Sequence, residues 1–235
     1  MKKIYQIIIL VVMVFLFVRD ESRAADLPFV DGEKVTYAIR KFGAKAGQAS
    51  LEFNGYGQLD GKPVYLITFT ARAFNFFDEE KIFIDPQTFL PIRVERDLNI
   101  FGKKEKIVEN YQEQGKVTIV KQVGAKTIEK VLEKQGSVEN LYGFIYRYRR
   151  DGKFVIGDDL VMRLPTKDVT ITVLKQDTLK AAGEVHDAFF LASDPAKYKL
   201  WFDSGEGKVP LRIDSGGVLG ATSLVMIEYS SGHDK

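Results

Sequence analysis

Apolar and polar residues alternate along most of the chain, and that alternation predicts strands. Val35, Tyr37 and Ile39 alternate with Thr36, Ala38 and Arg40, and Ala49, Leu51 and Phe53 with Ser50 and Glu52. Tyr65, Ile67 and Phe69 follow, then Ile82 and Ile84, then Ile92 and Val94. Val169, Ile171 and Val173 resume the habit, and Leu200, Phe202, Leu211, Ile213, Leu224 and Met226 carry it towards the end. A period of two in β-branched and aromatic residues is the signature of half-buried strands. Asn54-Gly55, Asp60-Gly61, Asp85-Pro86, Asp151-Gly152 and Gly205 punctuate the runs. Spacing of this kind predicts antiparallel hairpins in series.

One segment departs from that period. Between Ser137 and Arg150 the apolar residues Val138, Leu141, Tyr142, Ile145 and Tyr148 recur at helical spacing. Ser137 is read as the N-cap, the arginines at 147, 149 and 150 suit the last turn, and Asp151-Gly152 ends the helix. Gly143 costs about 1 kcal/mol against alanine in a helix, so this helix must lean on packing, with its aromatic face on a sheet.

The phrase KIFIDPQTFLPIRV, Lys81 to Val94, returns as KLWFDSGEGKVPLRI, Lys199 to Ile213. Each has Lys, three apolar residues, Asp, a turn, Pro, an aliphatic residue, Arg and another aliphatic residue. Asp and Pro open a type I turn in the first copy, and Gly205 supplies freedom in the second. Pro91 and Pro210 begin return strands, where a missing N–H is tolerated. The phrase specifies a hairpin and needs no catalysis. Its recurrence predicts two similar halves, about 30–120 and 152–230, joined by a helix at 137–150. The expected fold is mainly β: two antiparallel β-meanders forming a curved sheet or open barrel with one central helix.

Composition changes this picture at the N-terminus. Lys2 and Lys3 precede twelve apolar residues, Ile7 to Val18, and Ser22-Arg23-Ala24 offers small residues at the spacing a signal peptidase reads. Residues 1–24 are expected to be a cleaved signal peptide and 25–235 a single exported, periplasmic domain. Twelve apolar residues fall short of the roughly 20 a membrane span needs, so an uncleaved inner-membrane anchor is the lesser alternative. Removal of the leader takes four of the 34 basic and two of the 32 acidic residues, leaving 30 of each. A neutral balance gives no electrostatic case for nucleic acid. The absence of cysteine excludes disulfides and cysteine lipidation.

The opening GEKVTYAIRKFGAKAGQASLEF, the hairpin EEKIFIDPQTFLPIRVE and the tail LWFDSGEGKVPLRIDSGGVLGATSLVMIEY together resemble the exported envelope family called domain of unknown function 3108, over about Gly32 to Tyr229. The resemblance implies an exported β-rich protein and no particular activity. The hairpin phrase is also similar in pattern to the LolA/LolB lipoprotein-carrier group, whose curved sheets wrap a helix and hold lipid chains. That likeness concerns the fold alone.

Catalytic motifs are missing. The two histidines, His186 and His233, are isolated, and no nucleophile elbow, zinc helix or phosphate loop occurs. Asp78, Glu79 and Glu80 read as a solvated acidic loop. No cofactor is expected. The suggestive features are apolar: Phe74, Phe76 and Phe77 crowd beside that acidic run, Leu141, Tyr142, Ile145 and Tyr148 stripe the helix, and Trp201 makes both faces of its strand apolar. Ordinary core is one reading of them. The functional reading is a cleft between sheet and helix that takes a lipid or another apolar ligand, with Arg147, Arg149 and Arg150 meeting an anionic headgroup. The expected function is therefore a non-catalytic envelope protein that binds or carries an apolar ligand. Alternatives are an envelope scaffold that pairs with a protein partner and, less favoured, an enzyme acting on envelope glycan.

Overall fold

The computed structural model describes residues 27–217 and 220–232. The expected signal peptide and His233 lie outside these residues. Among the described residues, fourteen strands form one sheet. The first eight are β1 (Glu33–Lys41), β2 (Ala44–Leu59), β3 (Lys62–Ala73), β4 (Phe76–Ile84), β5 (Pro91–Ile100), β6 (Lys103–Tyr111), β7 (Lys116–Val123) and β8 (Lys126–Glu133). Helix α1 (Leu141–Asp151) follows, then β9 (Asp159–Leu164), β10 (Lys167–Ala181), β11 (Glu184–Asp194), β12 (Tyr198–Asp203), β13 (Pro210–Gly217) and β14 (Gly220–Ser230).

The sheet is curved and unclosed, and all its strand pairs are antiparallel. Its order is β8-β7-β6-β5-β4-β3-β2-β1-β14-β13-β12-β11-β10-β9. Every neighbouring pair is consecutive in the chain except β1 with β14. Two meanders are thus stitched together by their first and last strands, and the helix connects the two free edges. Near the β9 edge the linker after β8 bonds to that strand, the Glu139 N–H donating to the Arg163 carbonyl at 2.6 Å. Lys134 and Asp168 form an ion pair there.

The helix begins at Leu141, four residues after the expected Ser137 cap. Asn140 caps it instead, its Oδ1 accepting from the backbone N–H of Tyr142 at 2.9 Å and of Gly143 at 3.4 Å. Asn and Ser cap equally well. Pairing of Glu139 with β9 keeps the preceding residue extended. Gly143 earns its place by close approach, since a Cβ there would lie 3.1 Å from Ile84 Cδ1 on β4. Tyr142 stacks on Phe69 of β3 at 4.0 Å. On the other side Tyr148 meets Phe202 of β12 at 5.8 Å and Phe154 at 4.5 Å. The helix therefore fills the hollow of the curled sheet and touches both meanders. Val35, Leu51, Phe53, Ile67, Ile82, Ile84, Phe144, Ile145, Met162, Ile171 and Phe202 are fully buried around it.

The two copies of the repeated phrase are the β4–β5 and β12–β13 hairpins. Lys81, Ile82 and Phe83 face Glu95, Val94 and Arg93, and after a bulge Ile84 faces Pro91. Lys199, Leu200 and Trp201 face Asp214, Ile213 and Arg212, and after a bulge Phe202 faces Pro210. Register and bulge coincide. Each opening aspartate also ties its own turn: Asp85 Oδ1 accepts from the N–H of Gln87 and Thr88, and Asp203 Oδ1 from that of Gly205.

Candidate functional site

Two clusters of charge lie inside the sheet, one at each end of α1. At the C-terminal end Arg149 reaches Glu33 on β1, with Nη1 donating to Oε1 at 2.6 Å and Nη2 to Oε2 at 2.8 Å. Its Nε and Nη2 also donate to the Gly207 carbonyl at 3.0 and 2.7 Å. The guanidinium lies 4.8 Å from the Phe29 ring centroid and 5.0 Å from that of Tyr146. The hydroxyls of Tyr146 and Tyr229 donate to the Glu33 carboxylate at 3.5 and 3.2 Å. Side-chain exposure is 0% for Arg149 and 1% for Glu33. Burial opposes the guanidinium charge, but the Glu33 hydrogen bonds outweigh it and hold the Arg149 pKa above its usual value. The pair joins β1, the helix and the β12–β13 turn, and leaves no donor aimed at a ligand.

The second cluster surrounds the helix N-terminus. Asp78 and Glu80 point inward from β4, so the expected solvated loop is a strand with two buried carboxylates. The reason is register: counting back by twos from Ile84 and Ile82 gives Glu80 and Asp78. Arg96 on β5 donates to Asp78 through Nε at 2.7 Å and Nη2 at 2.5 Å, and its Nε lies 3.3 Å from Glu80 Oε1. Asn140 Nδ2 donates to Glu80 Oε2 at 3.2 Å, so one amide serves both the helix cap and the carboxyl. Burial, helped by Asp78, lifts the Glu80 pKa to about 7 against the pull of Arg96 and Asn140. Burial also raises Glu109 on β6, whose Oε2 accepts from the Tyr111 hydroxyl at 2.5 Å. Three carboxylates share one arginine here.

Beyond Arg96 the inner face changes character. The register carries it from Arg96 to Ile107, Lys121 and Ile128, and from Val94 to Glu109, Ile119 and Lys130. Leu98 leads to Glu105, Val123 and Lys126. Ile107, Ile119 and Val123 are half-buried, and Ile128 is 45% exposed. The described side-chain contacts of α1 run to β1–β4, β12 and the β12–β13 turn, while the inner side chains of this strip of β6–β8 are mostly half-buried or exposed. The strip mixes aliphatic side chains with both signs of charge, including Glu105 between Lys103 and Lys121.

The structure divides the residues singled out from sequence. Leu141, Tyr142, Ile145 and Tyr148 do gather between helix and sheet, where Ile145 is fully buried and Tyr148 is 6% exposed. There they are packed on Phe69, Phe154 and Phe202 as core. Trp201 lies on the outer face, stacked on Phe190 at 4.6 Å with Arg212 4.7 Å from its centroid. Phe76 and Phe77 are half-buried on opposite faces of β4, and Phe74 stands at the β3–β4 tip. The three arginines diverge: Arg147 to Glu139, Arg149 to Glu33, Arg150 to Asp151. Glu33, Arg96 and Asn140 escaped sequence reading and Glu80 was read as solvated, although Glu33, Glu80 and Arg96 continue strand registers already recognised. Among the described residues no group of three or more His, Asp or Glu is placed to hold a metal ion. His186 Nδ1 lies 3.1 Å from Asp203 Oδ2.

Fold and interior together define a barrel-like antiparallel sheet wrapped around one helix. The chain belongs to the family described as protein of unknown function DUF3108, whose model matches residues 34–226. Among solved structures it is similar to a beta-barrel-like DUF1849 protein from Brucella abortus, with a TM-score of 0.53 and 10% identity, covering 86% of this chain and 98% of that one. A presumed exported protein with a YmcC-like fold from Bacteroides fragilis gives a TM-score of 0.30 at 8% identity, covering 88% and 99%. A presumed lipoprotein from Parabacteroides distasonis gives 0.30 at 7%, covering 87% and 97%. The first likeness concerns the fold alone. No curated protein matches. Among the described residues no helix is long and apolar enough to cross a membrane.

Proposed function

We propose that this is a non-catalytic, periplasmic envelope protein that binds an amphiphile such as a lipid, and that the ligand lies on the half-open inner face of β6–β8 rather than in the helix-filled core. The observation that carries the reading is the break in burial along one continuous inner face: fully buried at Ile82, half-open at Ile107 and Ile119. Aliphatic positions there suit an acyl chain, and Lys121 and Lys130 suit an anionic headgroup. Catalysis is not part of the reading, because Asp78, Glu80 and Glu109 spend their oxygens on Arg96, Asn140 and Tyr111.

Native mass spectrometry of the protein purified from its own envelope, against a denatured sample, tests this. A stoichiometric amphiphile is expected, lost when Ile107 and Ile119 are both changed to serine. A clean apo mass across preparations, or an adduct indifferent to those changes, sinks the reading. A clean apo mass with a co-purifying protein would instead favour the scaffold alternative, for which β8 is the relevant element: it pairs on one side only, with β7.

A further inference from the structure

Alternate turns of an antiparallel meander fall on the same side of the sheet. In the first meander one side carries the β1–β2, β3–β4, β5–β6 and β7–β8 turns. Three of these four tips present a phenylalanine to solvent: Phe42 at 97% exposure, Phe74 at 85% and Phe101 at 71%. Two of the tips are tied together, the Phe101 N–H donating to the Asn75 carbonyl at 2.8 Å.

Phe42 and Phe101 are out of place for the backbone they occupy. Each has a positive φ, 50° and 51°, and each is followed by a glycine with φ of 81° or 86°. A two-residue hairpin turn with both central residues left-handed is built best from Asn-Gly or Asp-Gly, because a bulky side chain is strained there. The β2–β3 turn on the opposite side obeys this rule with Asp60-Gly61, at φ of 51° and 78°. The chain thus has the ordinary turn on one side and twice substitutes an exposed, strained phenylalanine on the other. A side chain that neither packs nor favours its own turn gains from something outside the molecule.

Charge points to what that is. Segments 40–47, 72–77, 98–104 and 122–128, which make these four tips, hold Arg40, Lys41, Lys45, Arg72, Lys103, Lys104 and Lys126, and no Asp or Glu. The opposite side has Asp60, Asp85 and Glu113 at its first-meander turns. Aromatic side chains ringed by cations match the interface of an anionic bilayer, where rings enter the headgroup layer and Lys and Arg meet phosphates. We propose that the β1–β2, β3–β4 and β5–β6 tips form a docking surface that seats the protein, by Phe42, Phe74 and Phe101, on an anionic lipid bilayer.

The test is flotation of the chain from Ala25 onward, which contains the whole described fold, with phosphatidylglycerol-rich vesicles and with pure phosphatidylcholine vesicles. Binding is expected to the former, at least tenfold weaker to the latter, and weakened by added salt. The triple variant Phe42→Asn, Phe74→Asn, Phe101→Asn should lose vesicle binding while its melting temperature holds or rises, since Asn-Gly is the better turn. Loss of binding with an unfolded variant is resolved by Phe74→Ser alone, which leaves both left-handed positions untouched and is expected to weaken binding severalfold. Equal binding to both vesicle types, or vesicle binding unchanged in the triple variant, overturns the proposal. So does concentration-dependent dimerisation that the variant abolishes without any vesicle binding, which would make the tips a contact between two copies. Vesicle docking and a bound amphiphile are read by separate measurements, so either can fail without the other.

Discussion

The two charge clusters at the ends of α1 have similar ingredients and different balances. At the C-terminal end one arginine meets one carboxylate and a carbonyl, two tyrosine hydroxyls donate to that carboxylate, and the charged pair is sealed from water. At the N-terminal end Asp78, Glu80 and Glu109 surround Arg96, whose side chain keeps 26% exposure. A balanced and sealed pair behaves as a structural tie. The acid-rich cluster at the margin of an open face instead holds one carboxyl, Glu80, raised to about 7 by burial. The difference separates scaffold from candidate site more sharply than burial alone does.

Cutting the sealed tie should have the largest effect. Glu33→Gln leaves the Arg149 charge buried without its counter-charge, a defect of about 3–5 kcal/mol. The double change Glu33→Gln, Arg149→Met should cost clearly less than the sum of the singles, because it removes the stranded charge. Urea unfolding of the three variants measures both. A loss below about 1 kcal/mol for Glu33→Gln would show that the tie is not what holds the helix C-terminus.

The acid-rich cluster should reveal itself through pH. The Glu80 carboxyl ordinarily titrates near 4.5 and is raised to about 7 in the fold, first by burial and then by Asp78 and Glu109, with Arg96 and Asn140 opposing. Tyr142 on α1 faces the same carboxyl. The folded state favours the neutral acid, so its contribution to stability is full below about pH 4.5 and is lost as pH rises through 7. Glu80→Gln mimics the neutral acid. It should raise stability at pH 8 by on the order of 1–3 kcal/mol and change little at pH 4. Parallel stability–pH curves for the two proteins would remove Glu80 from the explanation.

Sequence reading reached the architecture further than the site. Alternation and turn residues disclosed the strands, the open curved sheet and the helix, and the repeated phrase disclosed the β4–β5 and β12–β13 hairpins down to their prolines. β8 went unread because Thr127–Glu133 does not alternate: Val131 and Leu132 are adjacent on an exposed edge. The charged interior went unread for another reason. Glu33 precedes Val35 by two, Glu80 precedes Ile82 by two and Arg96 follows Val94 by two, so register placed all three inside while hydropathy placed them outside. Burial of a charge depends on a partner far along the chain, 116 residues away for Glu33 and Arg149, and local pattern carries no trace of that pairing. Trp201 shows the converse: its hydropathy suggested an inner wall, yet its register with Arg212 sets it on the outer face.

The smallest effect sharpens the comparison most, because it touches the acid-rich cluster through one amide. Asn140 Oδ1 caps α1 while its Nδ2 holds Glu80. Asn140→Asp retains the cap and adds a carboxylate beside Glu80, whereas Asn140→Ser retains the cap and drops the amide donor. Asn140→Ala removes cap and donor together, so it should lose about 1 kcal/mol more than Asn140→Ser at either pH. Asn140→Ser should be near wild type at pH 4 and weaker at pH 8, since the lost donor stabilised the ionised Glu80. Asn140→Asp should be weaker still at pH 8, where two carboxylates would face each other across the place of the former hydrogen bond. Urea midpoints at the two pH values separate these cases. If the serine variant matches wild type at both pH values while alanine loses the same amount at each, Asn140 acts only as a cap and the helix N-terminus is not coupled to Glu80.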